Sequence, residues 1–486
     1  MRTATAVLLL LLLSACAAAP RAVTDAELRD IDRFVTRTLQ TLPEVPSVGL
    51  AIVRDGKTYA RGYGLADRER NVAATADTGY YNGSNTKAYT AVVCTMLAQE
   101  GKIDLDVPVT TYLPEVQFAP PIDASKLTLR RFLSHTSGIE NFPVVFRTAF
   151  SGEHTPKELV RILSLSKAGP EGFHYDNLGY VIASLIVERV TGRKWQDVLD
   201  QRLFEPLGMH RTTAYMSEAR RQPVAVPYDM NAQGTMSRIE FGWKDDSMMH
   251  AAGGIVTTPN DLAKWLQANL TQQPAYAETQ RKQVEAKRDS FIFDGTGYGF
   301  GWYQSDLHGE QLLYHGGGYE GWRSVYSLLP EKKMAVGALT NAGFSHSPLE
   351  LISAYVYDRL LGTANVDATY DEKLTQLRAR FDTVKKNHID DAAKRASRTW
   401  TLTHPRDAYA GRYESPTYGT LTIEQRGEKL VATIGRLSAE LEPFTNPDSA
   451  RVELIPGTGE VLQFRFAPGA NTPEALKWQG EVLLRK

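Results

Sequence analysis

The sequence predicts an α/β protein with an all-helical insertion in its sheet and a small all-β module behind it. Three observations predict this. Val48, Leu50 and Ile52 alternate before Asp55-Gly56 and continue at Thr58-Tyr59-Ala60, the pattern of a hairpin. Strand patterns then give way to helical ones from Ile103 to about His250, and return only at Tyr298. From Gly411 onward short strand-like runs recur at regular spacing, in a module of about eighty residues, an ordinary domain size. A chain of 486 residues exceeds what one core usually organises, so more than one domain is expected. The segments are 1–15 and 16–24 at the N-terminus, 25–365 for the α/β part, 366–405 as a helical linker and 406–486 for the all-β part.

At the N-terminus, Arg2 precedes a leucine run from Leu8 to Leu13, too short to span a bilayer and typical of a secretory signal. Leu13-Ser14-Ala15-Cys16 places a cysteine at the end of that run, as in a bacterial lipobox, and Ala17 fits sorting to the outer membrane. Residues 1–15 are therefore expected to be removed and Cys16 to carry acyl chains that anchor an exported lipoprotein. Ordinary cleavage after Ala17-Ala18-Ala19 is the competing reading. The one other cysteine, Cys94, lies in an apolar helical stretch, which argues against a structural disulfide.

Taken in order, Ala26 to Leu42 is amphipathic with Ile31, Phe34, Val35 and Leu39 on one side, and Pro43 ends it. Helical patterns follow at Thr128 to Ser134, Glu158 to Leu165 and Leu178 to Val190, the last stopped by Gly192. A new helix start lies at Thr258-Pro259-Asn260-Asp261. Strands are expected over Tyr298 to Gln304, Gln311 to Tyr314, Gly321 to Leu329 and Met334 to Thr340, with turns at His308-Gly309, Gly316 to Gly318 and Pro330-Glu331. Ser347 to Leu361 reads as a helix, and Asp371 to Arg398 as a charged helix with a solvated face. The final module contributes Gly411 to Tyr413, Leu421 to Ile423, Lys429 to Ile434, Arg451 to Ile455 and Val461 to Phe466.

Net charge is -1, from 55 basic and 56 acidic residues without a basic block, so nucleic acid is not an expected partner. Gly316-Gly317-Gly318-Tyr319-Glu320-Gly321 matches a dinucleotide fingerprint in spacing only, because a strand pattern follows where a helix is needed. Neither His-Glu-x-x-His nor Cys-x-x-Cys occurs, so no metal or other cofactor is expected.

The chemistry centres on Ser84-Asn85-Thr86-Lys87. Ser84 and Lys87 are three apart and share a helix face above Ala88, Ala91, Val92, Thr95 and Met96. A lysine in a buried first turn is costly unless it is paired or deprotonated, and a deprotonated one can activate a neighbouring hydroxyl. Ser-x-x-Lys is a frequent pattern, however, and recurs at Ser164 to Lys167, where Ala168-Gly169-Pro170 stops a helix instead of starting one. Taken singly, Tyr175, Asn177 and His315 read as a packed aromatic, an N-cap and a turn residue.

In order, these segments resemble the serine β-lactamase and penicillin-binding-protein superfamily. Its Ser-x-x-Lys, Tyr-x-Asn and His-x-Gly motifs correspond to Ser84 to Lys87, Tyr175-Asp176-Asn177 and His315-Gly316-Gly317. Leu133 to Ile139, Ala252 to Leu262 and His315 to Ser324 carry further family patterns, and the likeness spans about residues 25 to 362. The branch it is most similar to is the class C-like group of esterases, D-aminopeptidases and D-alanyl-D-alanine carboxypeptidases. The tail resembles an appended lipocalin-like β-barrel.

The resemblance implies a β-lactamase/transpeptidase-like fold and a serine hydrolase that works through an acyl-enzyme. It makes Ser84 the nucleophile, with Lys87 and Tyr175 handling the proton and Asn177 orienting Lys87 and substrate. The Gly317-Gly318 segment binds substrate, and the N–H groups of Ser84 and Gly318 form the oxyanion hole. His315 stands where β-lactamases have lysine, so the fixed cation for a substrate carboxylate is weakened and a titratable one takes its place. That favours small esters and D-amino-acid or cell-wall-related peptides over penicillins. A catalytically silent penicillin- or peptide-binding lipoprotein is the alternative. The substrate, the acyl acceptor and the oligomeric state are not legible.

Overall fold

The computed structural model describes residues 22–486, so the expected signal and the lipidation of Cys16 lie outside the described residues. Thr24 caps the first helix, Asp25–Thr41: its hydroxyl accepts from the Glu27 amide while the Glu27 side chain answers the Thr24 amide. Among the described residues no helix is long and apolar enough to cross a membrane.

The main sheet has nine strands, all antiparallel, and the chain enters it twice. Ser47–Arg54 and Lys57–Asp67 form the expected hairpin, with Asp55 and Gly56 both at positive φ. Ser47–Arg54 then pairs with Met334–Thr340, Val48 opposite Thr340 and Arg54 opposite Met334. Joining the first strand to the last puts the intervening helices outside the sheet, as an insertion. The alternation at Val48, Leu50 and Ile52 does select one face, where these residues meet Ile31, Phe34 and Val35 of the first helix and Leu349, Ile352 and Tyr355 of Ser347–Leu361. The opposite face is buried too, because Ala51 and Val53 pack under the inserted helices.

Two expectations for this sheet are corrected. Tyr298 to Gln304 is a turn between Gly295–Tyr298 and Tyr303–Leu307: Gly301 has φ +82° and packs against the Ala88 backbone. Gly316 to Gly318 lie inside the strand Glu310–Tyr319, which pairs with Trp322–Leu329, and the turn falls at Glu320-Gly321. Those glycines serve close approach. A Cβ at Gly317 would overlap the Asn82 carbonyl oxygen, so only glycine lets this strand lie against the loop before Ser84. The strands Val284–Arg288 and Gly295–Tyr298 were not expected, being a charged sheet edge and a glycine-rich neighbour.

The helix Val366–Ala396 is half packed. Val366, Tyr370, Leu374, Leu377 and Phe381 are buried, whereas the turns after Phe381 are largely exposed. Beyond it a second antiparallel sheet of nine strands encloses its own core, including Tyr413, Leu421, Leu430, Phe464 and Trp478. Its two edge strands, Leu437–Glu440 and Glu442–Pro443, are separated in the chain only by Leu441, so the sheet curls nearly into a barrel. Four of its strands had no legible pattern: the two edges, Ala475–Trp478 and Glu481–Arg485. The expected strand Arg451 to Ile455 is displaced to Ser449–Val452.

This sheet is anchored to the inserted helices. Phe146 enters its core, edge-on to Tyr418 and Trp478 at 5.5 Å each. Next to it, the Arg147 guanidinium Nε donates to the Thr417 carbonyl at 2.6 Å.

Candidate active site

Ser84 lies in a single 3-10 turn, Gly83–Asn85, that leads into the helix Thr86–Gln99. That helix is buried on nearly every side, so its first-turn lysine has nowhere to reach solvent. Gly83, at φ +54°, presses on the Gly317-Gly318 backbone. The contact is fastened from the next strand, where the Ser324 hydroxyl donates to Asn82 O at 2.6 Å and accepts from Asn85 Nδ2 at 2.7 Å. The backbone N–H groups of Ser84 and Gly318 are thereby held on adjoining segments.

Lys87 Nζ has three oxygen neighbours: Ser84 Oγ at 3.1 Å, Asn177 Oδ1 at 2.7 Å and Ala252 O at 3.0 Å. Asn177 Oδ1 and Ala252 O are both acceptors, so two N–H bonds of Lys87 are committed to them. The remaining position on Nζ faces Ser84, as an N–H when charged and as a lone pair when neutral. Burial brings the Lys87 ammonium down to about 7, against a smaller opposing pull from Asp176. The Tyr175 ring centre lies 4.8 Å from Lys87 Nζ, and the Ser84 side chain stands near enough to its phenol to favour the ionised form. Burial raises the Tyr175 phenol, so this side chain is protonated at neutral pH. Ser84, Lys87, Tyr175, Asn177, Gly317 and Gly318, expected from three separated motifs, thus converge.

His315 departs from expectation. Its ring is buried 6.0 Å from that of Tyr175, with Nδ1 2.7 Å from Gly316 O and Nε2 3.1 Å from the Tyr298 hydroxyl. Desolvation, with Lys87 and Arg288 nearby, holds it well below the usual histidine range. It offers a substrate neither a free nitrogen nor a titratable charge, which corrects the reading of His315 as a pH-dependent anion receptor. Two cations lie beside this strand: Arg323, against Gly318, and Arg288, which sequence reasoning missed because Ala286-Lys287-Arg288 carries no motif. One of its guanidinium nitrogens lies 3.6 Å from where a Gly316 Cβ would stand, and its Cζ is 4.8 Å from the Tyr303 ring centre. Among the described residues no carboxylate forms a salt bridge with it, and the acidic group that acts on it at longer range is Glu350.

Two cavities flank the convergence. One of about 430 Å³ is bounded by Tyr175 and Asn177, by Phe142 of the insertion, and by Tyr418 and Glu481 of the second sheet. The other, about 680 Å³, is bounded by Gly318, Tyr319, Arg288 and Arg323. Ser164, the second Ser-x-x-Lys match, only caps a helix end and accepts from the Gln117 amide at 3.0 Å. Among the described residues no cluster of His, Cys, Asp and Glu is arranged to hold a metal ion.

Residues 35–358 match the family model Beta-lactamase, two thirds of the chain. The chain belongs to the beta-lactamase family. It is 30% identical over 324 residues to penicillin-binding protein 4 of Amycolatopsis lactamdurans, covering 64% of this chain and 84% of that one. It is 27% identical over 427 residues to an unguisins hydrolase of Aspergillus campestris, covering 81% and 77%. Among solved structures it is similar to the octameric penicillin-binding protein homologue from Pyrococcus abyssi, with TM-score 0.61 and 23% identity over 95% of this chain and 100% of that one. It is also similar to D-amino acid amidase from Ochrobactrum anthropi SV3, with TM-score 0.59 and 24% identity over 69% and 99%. The fold is therefore β-lactamase/transpeptidase-like, with a nearly closed all-β sheet added behind it.

Proposed function

We propose that this member of the beta-lactamase family is a serine hydrolase that forms an acyl-enzyme at Ser84, on small esters or on amides such as D-amino-acid and cell-wall-related peptides. The observation that carries the reading is the buried Lys87 Nζ, 3.1 Å from Ser84 Oγ with its other directions taken by Asn177 and Ala252. Neutral Lys87 accepts the Ser84 proton as Oγ bonds to the substrate carbonyl carbon. The oxyanion that results is met by the N–H groups of Ser84 and Gly318. Collapse breaks the bond to the leaving alcohol or amine, which takes a proton passed from Lys87 by way of the Tyr175 hydroxyl. Water, activated by the same groups in reverse, then releases the acid. The unguisins hydrolase and the penicillin-binding protein among its relatives support acyl transfer as the reaction class.

A carboxylate on the substrate would be met by Arg288, since the guanidinium lies beside Gly316 and the acidic group that acts on it, Glu350, does so without a salt bridge. Labelling with a fluorophosphonate probe, read by intact-protein mass spectrometry, tests the nucleophile. Wild type and Ser164→Ala are expected to gain one adduct and Ser84→Ala none. An adduct that persists in Ser84→Ala overturns the reading.

A further inference from the structure

Four hydrogen bonds connect the Tyr175 loop to the Gly316–Gly318 strand through groups that take no part in the acyl transfer above. The Asp176 amide lies 3.3 Å from His135 Nδ1, His135 Nε2 3.3 Å from the Tyr298 hydroxyl, that hydroxyl 3.1 Å from His315 Nε2, and His315 Nδ1 2.7 Å from Gly316 O. His135, Tyr298 and His315 are all buried, so water does not enter the count. The two ends have fixed character, because an amide N–H only donates and a carbonyl oxygen only accepts.

Those ends set every link between them. Since His135 Nδ1 accepts from Asp176, its proton is on Nε2 and is donated to the Tyr298 oxygen. Since His315 Nδ1 donates to Gly316 O, its Nε2 is bare and accepts the Tyr298 proton. One hydroxyl thus joins two neutral imidazoles of opposite tautomer. Tyr180, the other phenol against Tyr298, gives its own proton to Leu133 O at 3.0 Å, so it is not a rival donor to the Tyr298 oxygen, and the partner within hydrogen-bond distance of the Tyr298 proton is His315 Nε2 at 3.1 Å.

We propose that Tyr298 is a positioning residue for the reaction assigned to Ser84: its hydroxyl holds His135 and His315 neutral in opposite tautomers and so fixes the Tyr175–Asn177 loop against the oxyanion strand. This rests on the hydrolase reading. The loop and the strand belong to distant parts of the chain, and the His135 ring lies directly on Tyr175, with centres 4.5 Å apart. His135 itself takes φ +58°, a conformation costly for a residue with a Cβ, and that turn presents its ring to both partners. A proton added to either ring would break a link. On His135 it would confront the Asp176 amide, and on His315 it would leave the Tyr298 oxygen facing two donors. The surroundings oppose such a proton as well. Lys87, Arg288, Tyr175, Tyr303 and Tyr298 face His315, and Lys87, His174, Tyr175, Tyr180 and Tyr298 face His135.

The test combines imidazole nitrogen-15 spectra with kinetics on the full chain. In the wild type His135 is expected as the Nε2–H and His315 as the Nδ1–H tautomer, neither titrating between about pH 5.5 and 8, where a free histidine does. Tyr298→Phe keeps the ring and removes only the hydroxyl. It is expected to lower kcat at least about tenfold with KM within about threefold, and to shift the His315 Nε2 resonance, because the donor to its bare nitrogen is gone. His135→Gln retains an N–H near the Nε2 position and is expected to keep more kcat than His135→Leu, a comparison that decides the matter should Tyr298→Phe not fold. An Nε2–H tautomer at His315 in the wild type, or an unchanged kcat in Tyr298→Phe, or equal kcat in the Gln and Leu variants, overturns the proposal. Absence of Ser84 labelling in the wild type would instead remove the hydrolase reading, while the spectra still report on the chain of bonds.

Discussion

Burial of Lys87 places its proton equilibrium at about 7, where roughly half the side chains are neutral at neutral pH. If neutral Lys87 is the base, kcat/KM for an uncharged ester falls about tenfold for each pH unit below that value and levels off above it. A profile flat through this region would remove Lys87 from the role. The same depression acts on stability. Between about 7 and the ordinary lysine value of 10.5 the unfolded chain holds a proton that the folded one has lost, so Lys87 makes stability rise with pH across that window. Arg288 gives a second prediction at this scale. Arg288→Met is expected to leave turnover of a neutral ester within about threefold and to cost at least about tenfold, near 1.4 kcal/mol, on the matching substrate with a carboxylate. Equal losses on both substrates would mean that Arg288 supports the fold and does not read charge.

Among elements, the strand Glu310–Tyr319 matters most, since its glycines let it approach the nucleophile turn. A Cβ at Gly317 would meet the Asn82 carbonyl, whose oxygen also accepts the Ser324 hydroxyl proton. Gly317→Ala is therefore expected to displace the turn before Ser84 and to slow fluorophosphonate labelling at least about a hundredfold, in keeping with the sensitivity of reactions to small misplacements. Native-rate labelling in that variant would show that the turn has room to shift. The same strand explains an error of reading. Three consecutive glycines suggest a turn by composition, and only the neighbour across the sheet reveals that they are there for space.

At the scale of the molecule, the second sheet is held to the hydrolase fold by an aromatic side chain and an arginine from the insertion. Phe146 supplies the apolar part of that attachment, and Arg147 the hydrogen bond to Thr417. Phe146→Ala should cost about 3–5 kcal/mol, the usual penalty for emptying an aromatic site in a core. Differential scanning calorimetry would record it as a lower melting temperature. An unchanged melting temperature would mean that the sheet does not depend on this contact. The attachment also has a chemical side, because Tyr418 and Glu481 bound the cavity that reaches Tyr175 and Asn177.

The order of motifs along the chain was enough to nominate Ser84, Lys87, Tyr175, Asn177, Gly317 and Gly318, and apolar periodicity was enough to place Met334–Thr340 and Ser347–Leu361. Those are local properties, written in spacing and composition. The protonation of His315, the placement of Arg288 beside Gly316 and the link through Tyr298 were decided only by tertiary structure. A side chain's charge depends on who surrounds it and on how much water remains, and here the surroundings come from segments far apart in the chain. His135 and His315 are separated by 180 positions, and the hydroxyl that joins them belongs to a residue the linear pattern assigned to the wrong strand.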